Sequence, residues 1–322
     1  MKNLISRRTV LAATAAFCAI PAMAQTAFPS QTIKIIVPYP AGGATDILAR
    51  MVAQKLQDAW SNPVVVENKP GAGGTIGNNT VAKAAPDGHT ILMAITAIVQ
   101  QPTLMTLPYD PIKDFAPVTQ IAKSPSMFAV PLNSQAKSLK EFVTLVKASP
   151  GQFNFGTYGA GTSSHIQGSL LNLQAGLDMV HVPFQGAAPL VTNMVGGQLT
   201  SAFIDSASAR AHIKSFRPLA VTGTQRMPSL PDVPTFKELG YHSYEPIGWF
   251  GMFLPASTSA AVVNKFSDEV NRILRLPDVV ARIEGLGLWV GGGKPEEFAQ
   301  TVKSDAGVYA KIIKDANIKI GQ

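Results

Sequence analysis

Cysteine is almost missing from this chain. The single cysteine in 322 residues is Cys18, and it falls in a segment that reads as an export leader. Met1 to Arg8 carry Lys2, Arg7 and Arg8 and no acid. Thr9 to Ile20 form an apolar run, and Pro21-Ala22-Met23-Ala24 supplies an Ala-x-Ala cleavage site before Gln25. Phe17 does not suit the small residue that lipidation wants ahead of the cysteine. Residues 1–24 are therefore expected to be a cleaved signal peptide and the mature protein periplasmic. Export would follow the general secretory route or, since Ser6-Arg7-Arg8-Thr9-Val10-Leu11 resembles a twin-arginine signal, that one. A mature chain without a thiol excludes thiol catalysis, cysteine–zinc sites and iron–sulfur clusters.

Other absences narrow the field further. The leader's apolar run, roughly 12 residues, is shorter than the about 20 of a spanning helix, and no later run reaches that length. Blocks of one charge are lacking: without the three leader cations, 24 Lys and Arg face 20 Asp and Glu, a net charge of +4. With no basic run and no aromatic interleaving, nucleic acid is not an expected partner. The histidines, His89, His165, His181, His212 and His242, include no i, i+4 pair and no completing carboxylate, so no metal is expected. Only His165, after a Gly-rich loop, is placed near a ligand.

Strand and helix signals alternate along what remains. Thr32–Pro38 reads as a buried strand. Thr45–Trp60 reads as a helix, with Ile47, Leu48, Met51, Val52, Leu56 and Ala59 on one face. Strands at Val64–Val66 and Thr90–Thr96 flank a helix over Ile76–Ala85. A Pro-rich stretch, Leu107–Pro117, precedes a strand at Met127–Leu132. Ser138–Ala148, Ser163–Ala175 and Ala188–Gly196 read as helices, between strands at Phe153–Gly156, Met179–Val182, Thr200–Ile204 and Pro218–Val221. Trp249–Leu254 looks like a returning strand. Helices over Ser259–Leu274, Pro277–Leu286 and Pro295–Ala316 close the chain. This is an α/β pattern of mostly parallel sheets covered by helices. Its organisation is expected to be two lobes, residues 25–127 with 248–322, and residues 128–247, joined by two short hinges.

Two Gly-rich turns share one design of strand, small-residue loop and helix start: Pro38–Ala44 and Gly156–Ser164. Neither contains a cation. Helix starts carry roughly half a positive charge and several free N–H donors. Such turns can hold a carboxylate with N–H groups, hydroxyls and water. The other reading is a plain βα turn with no guest. Thr45 and Asp46 fit helix-start chemistry, and Asp46 reads as structural before it reads as a contact.

Nucleotide readings fail on spacing. Gly71-Ala72-Gly73-Gly74-Thr75-Ile76-Gly77 has Ile where a dinucleotide loop needs its third glycine, and Gly291-Gly292-Gly293-Lys294 runs into Pro295. No cofactor is expected. Thr162-Ser163-Ser164-His165 sets serines beside a histidine, but neighbours at a helix start point different ways, and capping by Thr162 or Ser163 is the better reading.

The runs Pro38-Tyr39-Pro40-Ala41-Gly42-Gly43-x-x-Asp46, Glu67-Asn68-Lys69-Pro70-Gly71-Ala72-Gly73-Gly74 and Pro86-Asp87-Gly88-His89-Thr90 closely resemble the Bug family of extracytoplasmic solute receptors. These are the binding proteins of tripartite tricarboxylate transporters. Tyr158-Gly159-x-Gly161-Thr162-x-x-His165, Pro183-Phe184-x-Gly186, Leu230-Pro231-Asp232-Val233-Pro234-Thr235-Phe236 and Gly248-Trp249-Phe250-Gly251 extend the likeness over the mature chain. The resemblance implies a two-lobed periplasmic binding protein of type 2 topology, with a small carboxylate in the cleft and no catalysis. It places Tyr39, Ala41, Gly42, Gly43, Thr45 and Asp46 in one binding loop. Tyr158, Gly161, Thr162, Ser163, Ser164 and His165 form the other. Phe184, Gln185, Gly186, Ala187 and Asp205 would add contacts, with Thr96 on the floor. Asp205 would suit a solute bearing a hydroxyl or ammonium, and the neutral Gln185 a monocarboxylate, amide or amino acid. The implied partners are a small organic acid, amino acid or amide, and either the membrane permease subunits or a sensor kinase, with the receptor a monomer. A secreted hydrolase is the rival from another class.

Overall fold

The computed structural model describes residues 28–245 and 247–320. The expected signal peptide lies outside the described residues. Strands and helices run in the order β1 (Ile33–Val37), α1 (Ala44–Trp60), β2 (Val64–Asn68), α2 (Thr75–Ala82), β3 (Thr90–Ile95), α3 (Ala97–Gln100), β4 (Phe115–Ser124) and β5 (Ser126–Pro131). Then come α4 (Leu139–Ala148), β6 (Asn154–Thr157), α5 (Ser163–Ala175), β7 (Val180–Pro183), α6 (Ala187–Val195), β8 (Ala202–Asp205), α7 (Ser206–Ala209) and β9 (Phe216–Val221). The chain continues through β10 (Gly248–Pro255), α8 (Ala260–Ile273), α9 (Pro277–Gly285), β11 (Trp289–Gly292) and α10 (Pro295–Asp315).

These strands make two sheets, one ordered β2-β1-β3-β10-β4-β11 and the other β7-β6-β8-β5-β9. Apart from β11 the two orders follow one scheme. Each sheet has three strands from successive βαβ units, then a strand arriving from the other sheet, then a fourth. The sheets are mixed. Ladders inside the βαβ units, β1 with β2 and β3 and β6 with β7 and β8, are parallel. The arriving strands, β10 and β5, pair antiparallel on both sides. Only the βαβ units, with their covering helices, force a parallel neighbour.

Only Pro125 separates β4 from β5. Proline offers no N–H to a ladder, so one sheet stops and the other starts there. The sequence pattern missed β4, β11 and the short α3 and α7. In β4, Pro117 pairs opposite Phe253 where the register shifts, and the ladder to β11 reaches only Gln120, Ala122 and Lys123, so the proline sits where β4 is paired on one side.

The apolar spacing read in the first long helix does bury a face. Leu48, Val52 and Leu56 of α1 pack with Ile33, Ile35 and Val37 of β1 and with Phe266, Val270 and Ile273 of α8. Fully burying each such side chain stabilises by about 1.5–3 kcal/mol. In the second sheet Phe128 and Val130 face one core, with Phe142, Phe155 and Phe203, while Met127 and Ala129 face the other, as a strand's alternation requires. The helix α10 serves both halves. Its Phe298 and Val302 sit in a core of the first sheet, and Tyr309 and Ile313 sit in a core of the second. We refer to each sheet with its helices as a lobe.

Candidate functional site

A narrow cavity of about 40 Å³ lies where the two lobes meet. From the first lobe it is lined by Tyr39, Pro40, Gly43, Ala44 and Thr45 around the start of α1, and by Ile95 and Thr96 after β3. From the second lobe come Tyr158 and Ser163 at the start of α5, Ala187 at the start of α6, and Asp205 and Ser208 after β8. The crossing strands add Ser124, Ser126, Gly248, Trp249 and Phe250. Among the described residues, Lys, Arg and His are absent from this lining and Asp205 is its one carboxylate.

The first loop is shaped by a charged network behind it. Gly42 has φ +88°, a left-handed conformation that glycine adopts without strain. The buried Asp46 carboxylate accepts the Gly42 N–H at 3.0 Å, the Asn68 amide at 3.0 Å and the Arg50 guanidinium at 2.9–3.0 Å. Asn68 also donates to the Tyr39 carbonyl at 3.0 Å. Burial opposes the Asp46 charge, but the hydrogen bonds from Arg50, Gly42 and Asn68 outweigh it and hold the carboxyl below its ordinary range. The N-cap position of α1 is Gly43, without a side-chain cap, and Thr45 and Asp46 lie in the first turn.

The second loop is shaped by uncharged groups. Thr162 Oγ1 donates to the Gly159 carbonyl at 2.6 Å and meets Ser164 Oγ at 2.9 Å. Ser164 Oγ accepts the Tyr158 N–H at 3.2 Å, and His165 Nδ1 accepts the Gly161 N–H at 3.3 Å. The His165 ring stacks on His181, centroids 4.2 Å apart, and Phe155 stacks beyond. Burial pushes His165 down to about 4; burial and the neighbouring His165 push His181 down to about 3.

Burial pushes the Asp205 carboxyl up, against opposing hydrogen bonds that include the Ser208 N–H at 2.9 Å. Burial, and then the facing Asp205, push the Tyr158 hydroxyl up. Thr96 Oγ1 accepts the Trp249 N–H at 2.7 Å, which fixes the cavity floor to β10.

Residues 48–318 match the family model described as the tripartite tricarboxylate transporter family receptor. The chain belongs to that family. A protein from the tcbD–tcbE intergenic region of Pseudomonas sp. strain P51 is 37% identical, over 99% of this chain and 97% of its own. The periplasmic binding protein BugD is 31% identical, with a TM-score of 0.87 over 91% of this chain and 99% of its own. MatC from Rhodopseudomonas palustris, solved with bound malate, is 30% identical, with a TM-score of 0.85 over 89% of this chain and all of its own. The fold is thus that of periplasmic binding proteins.

Within this family member, the residues expected at the site divide. Tyr39, Gly43, Thr45, Thr96, Tyr158, Ser163, Ala187 and Asp205 line the cavity. Ala41 and Gly42 are exposed and outside the lining, and Asp46 faces the loop's rear. Gly161, Thr162, Ser164 and His165 shape the second loop from behind; Thr162 and Ser164 spend their hydroxyls there, and Thr162 caps no helix N–H with its side chain. Phe184 packs in the second lobe, and Gly186 lies against Pro40. Gln185 is exposed and does not line the cavity, so the selectivity argument drawn from its amide falls. Ser124, Ser126, Ser208 and the Gly248–Phe250 edge were not foreseen as lining. Such serines carry no local pattern: the crossing at Pro125 brings Ser124 and Ser126 here, and the short α7 brings Ser208.

Proposed function

We propose that this family member is a periplasmic receptor that captures a small organic acid between its lobes and delivers it to a membrane transporter. The observation that carries this reading is that the starts of α1 and α5, one from each lobe, border a single cavity whose lining has no cation. Helix-start N–H groups suit a carboxylate. Bridging waters would complete its hydrogen bonds. The solute binds the closed arrangement more tightly than the open one and shifts the population towards it.

The wall chemistry narrows the solute class. Hydroxyls and one carboxylate, without a cation, disfavour a tricarboxylate and favour a monocarboxylate that also carries a donor, a hydroxy acid or an amino acid. Asp205 is the group that would accept from that donor. The malate bound by MatC is a hydroxy acid with two carboxylates, so it shares the hydroxyl donor with this class but not the single charge.

A thermal-shift panel of di- and tricarboxylates, hydroxy acids, aromatic acids, amino acids and amides tests the proposal. A bound acid at a hundredfold excess over its dissociation constant adds about 2.7 kcal/mol of stability. Asp205→Asn should lower the affinity for hydroxy or amino acids more than for their unsubstituted parents. No shift with any acid, together with turnover of esters or amides, would instead support the hydrolase.

A further inference from the structure

Besides the apolar packing of α10, polar and glycine contacts join the lobes next to the cavity. Gln100, at the end of α3 in the first lobe, is fully buried and does not line the cavity. Its Nε2 donates to Ser163 Oγ of the second lobe at 2.8 Å, and the Ser163 hydroxyl lies 3.3 Å from its Oε1. Beside it, Gln101 Nε2 donates to the Gly73 carbonyl at 2.9 Å. A Cβ on Gly73 would stand 2.6 Å from the Ala160 carbonyl of the second loop, so the backbones are in close contact there. Tyr309 of α10 lies against the pair: among the described residues its buried hydroxyl has no hydrogen-bond partner within bonding geometry, and Gln100 and Ser163 are among the polar side chains that face it.

Ser163 is the first residue of α5 and lines the cavity. A group that grips it from the opposite lobe acts on closure and on the second loop's helix start together. We propose that Gln100 is a positioning residue for capture: its amide clasps Ser163 across the lobe boundary and favours the closed arrangement before any solute enters. This deepens the receptor reading and rests on it, because closure matters only if the cleft holds a solute. Removing the amide breaks the pair and leaves the Ser163 hydroxyl without its cross-lobe partner in a dry setting, which costs more than a surface contact would.

The test needs no solute. Cys18 is the chain's one cysteine. In a Cys18→Ser background, spin labels at the exposed positions Asp58→Cys of α1 and Lys147→Cys of α4 report the distance between lobes. Gln100→Met, similar in length but without the amide, should reduce the closed-to-open ratio about tenfold. Ser163→Ala should do the same, and Gln100→Met added to Ser163→Ala should change the ratio by less than about twofold, since the pair acts as one unit. Circular dichroism confirms that each variant is folded. Unchanged distance distributions in both single variants, or full additivity in the double variant, would overturn the clasp. A solute panel without a hit would overturn the receptor reading and leave this distance measurement standing.

Discussion

The two βα loops border the same cavity and are built from different chemistry. Behind the first, one buried carboxylate gathers Gly42, Asn68 and Arg50. Behind the second, hydroxyls and a neutral imidazole hold Tyr158, Gly159 and Gly161. Neither arrangement turns a charged side chain toward the cavity from its loop. The first keeps its charge at the rear and neutralises it locally, and the second has none. A site can thus be left to backbone donors by two routes, and the routes fail in acid at different pH.

The largest expected contrast is with pH. His165 and His181 are held neutral in the fold, down to about 4 and about 3, against an ordinary histidine value of about 6.5. Between those limits the unfolded chain binds more protons than the fold, so stability is full above about 6.5 and falls as pH drops towards 4. Solvent screening trims the loss below the about 1.4 kcal/mol per pH unit that each shifted histidine would otherwise contribute, and the loss centres on His165 and His181. Asp46 has the opposite placement: its lowered carboxyl keeps its contribution through this window and loses it only at lower pH. Urea denaturation at pH 7 and pH 4.5 should show the drop, and His165→Asn, which keeps an acceptor for Gly161, should reduce it and leave the His181 share. An equal slope in that variant contradicts the assignment.

A smaller effect is expected from breaking the first loop. Asp46→Ala removes the acceptor for three donors and should cost about 2 kcal/mol in urea denaturation, with a loss of at least about tenfold in affinity for the first-ranked acid of the solute panel. The smallest is Asn68→Ala, which leaves the Asp46–Arg50 pair in place. It should cost about 1 kcal/mol, with binding weakened only a few-fold.

Much of this contrast was legible in the sequence. The apolar spacing of α1, the two cation-free Gly-rich turns and the family motifs led to the cavity's two ends. Asp46 was read as a structural residue before a contact, and its carboxylate faces the rear of the loop. Position within a loop did not tell which side chains face the cleft. His165 and Gln185 sit in motif positions, yet one stacks on His181 and the other is exposed. Ser124, Ser126 and Gln100 were invisible for a related reason. Their roles come from the crossing of chains at Pro125 and from the meeting of lobes, which are long-range pairings that no local period encodes. Pro117 hid β4, because a proline argues against a strand, and it is tolerated here where β4 is paired with β10 alone and the register shifts.

The most direct measurement is a crystal structure with the acid that ranks first in the solute panel. The account predicts a carboxylate group within hydrogen-bond distance, direct or through one water, of main-chain N–H groups at the starts of both α1 and α5. A carboxylate held instead by a lysine or arginine side chain, or seated outside the cavity between the lobes, would contradict it.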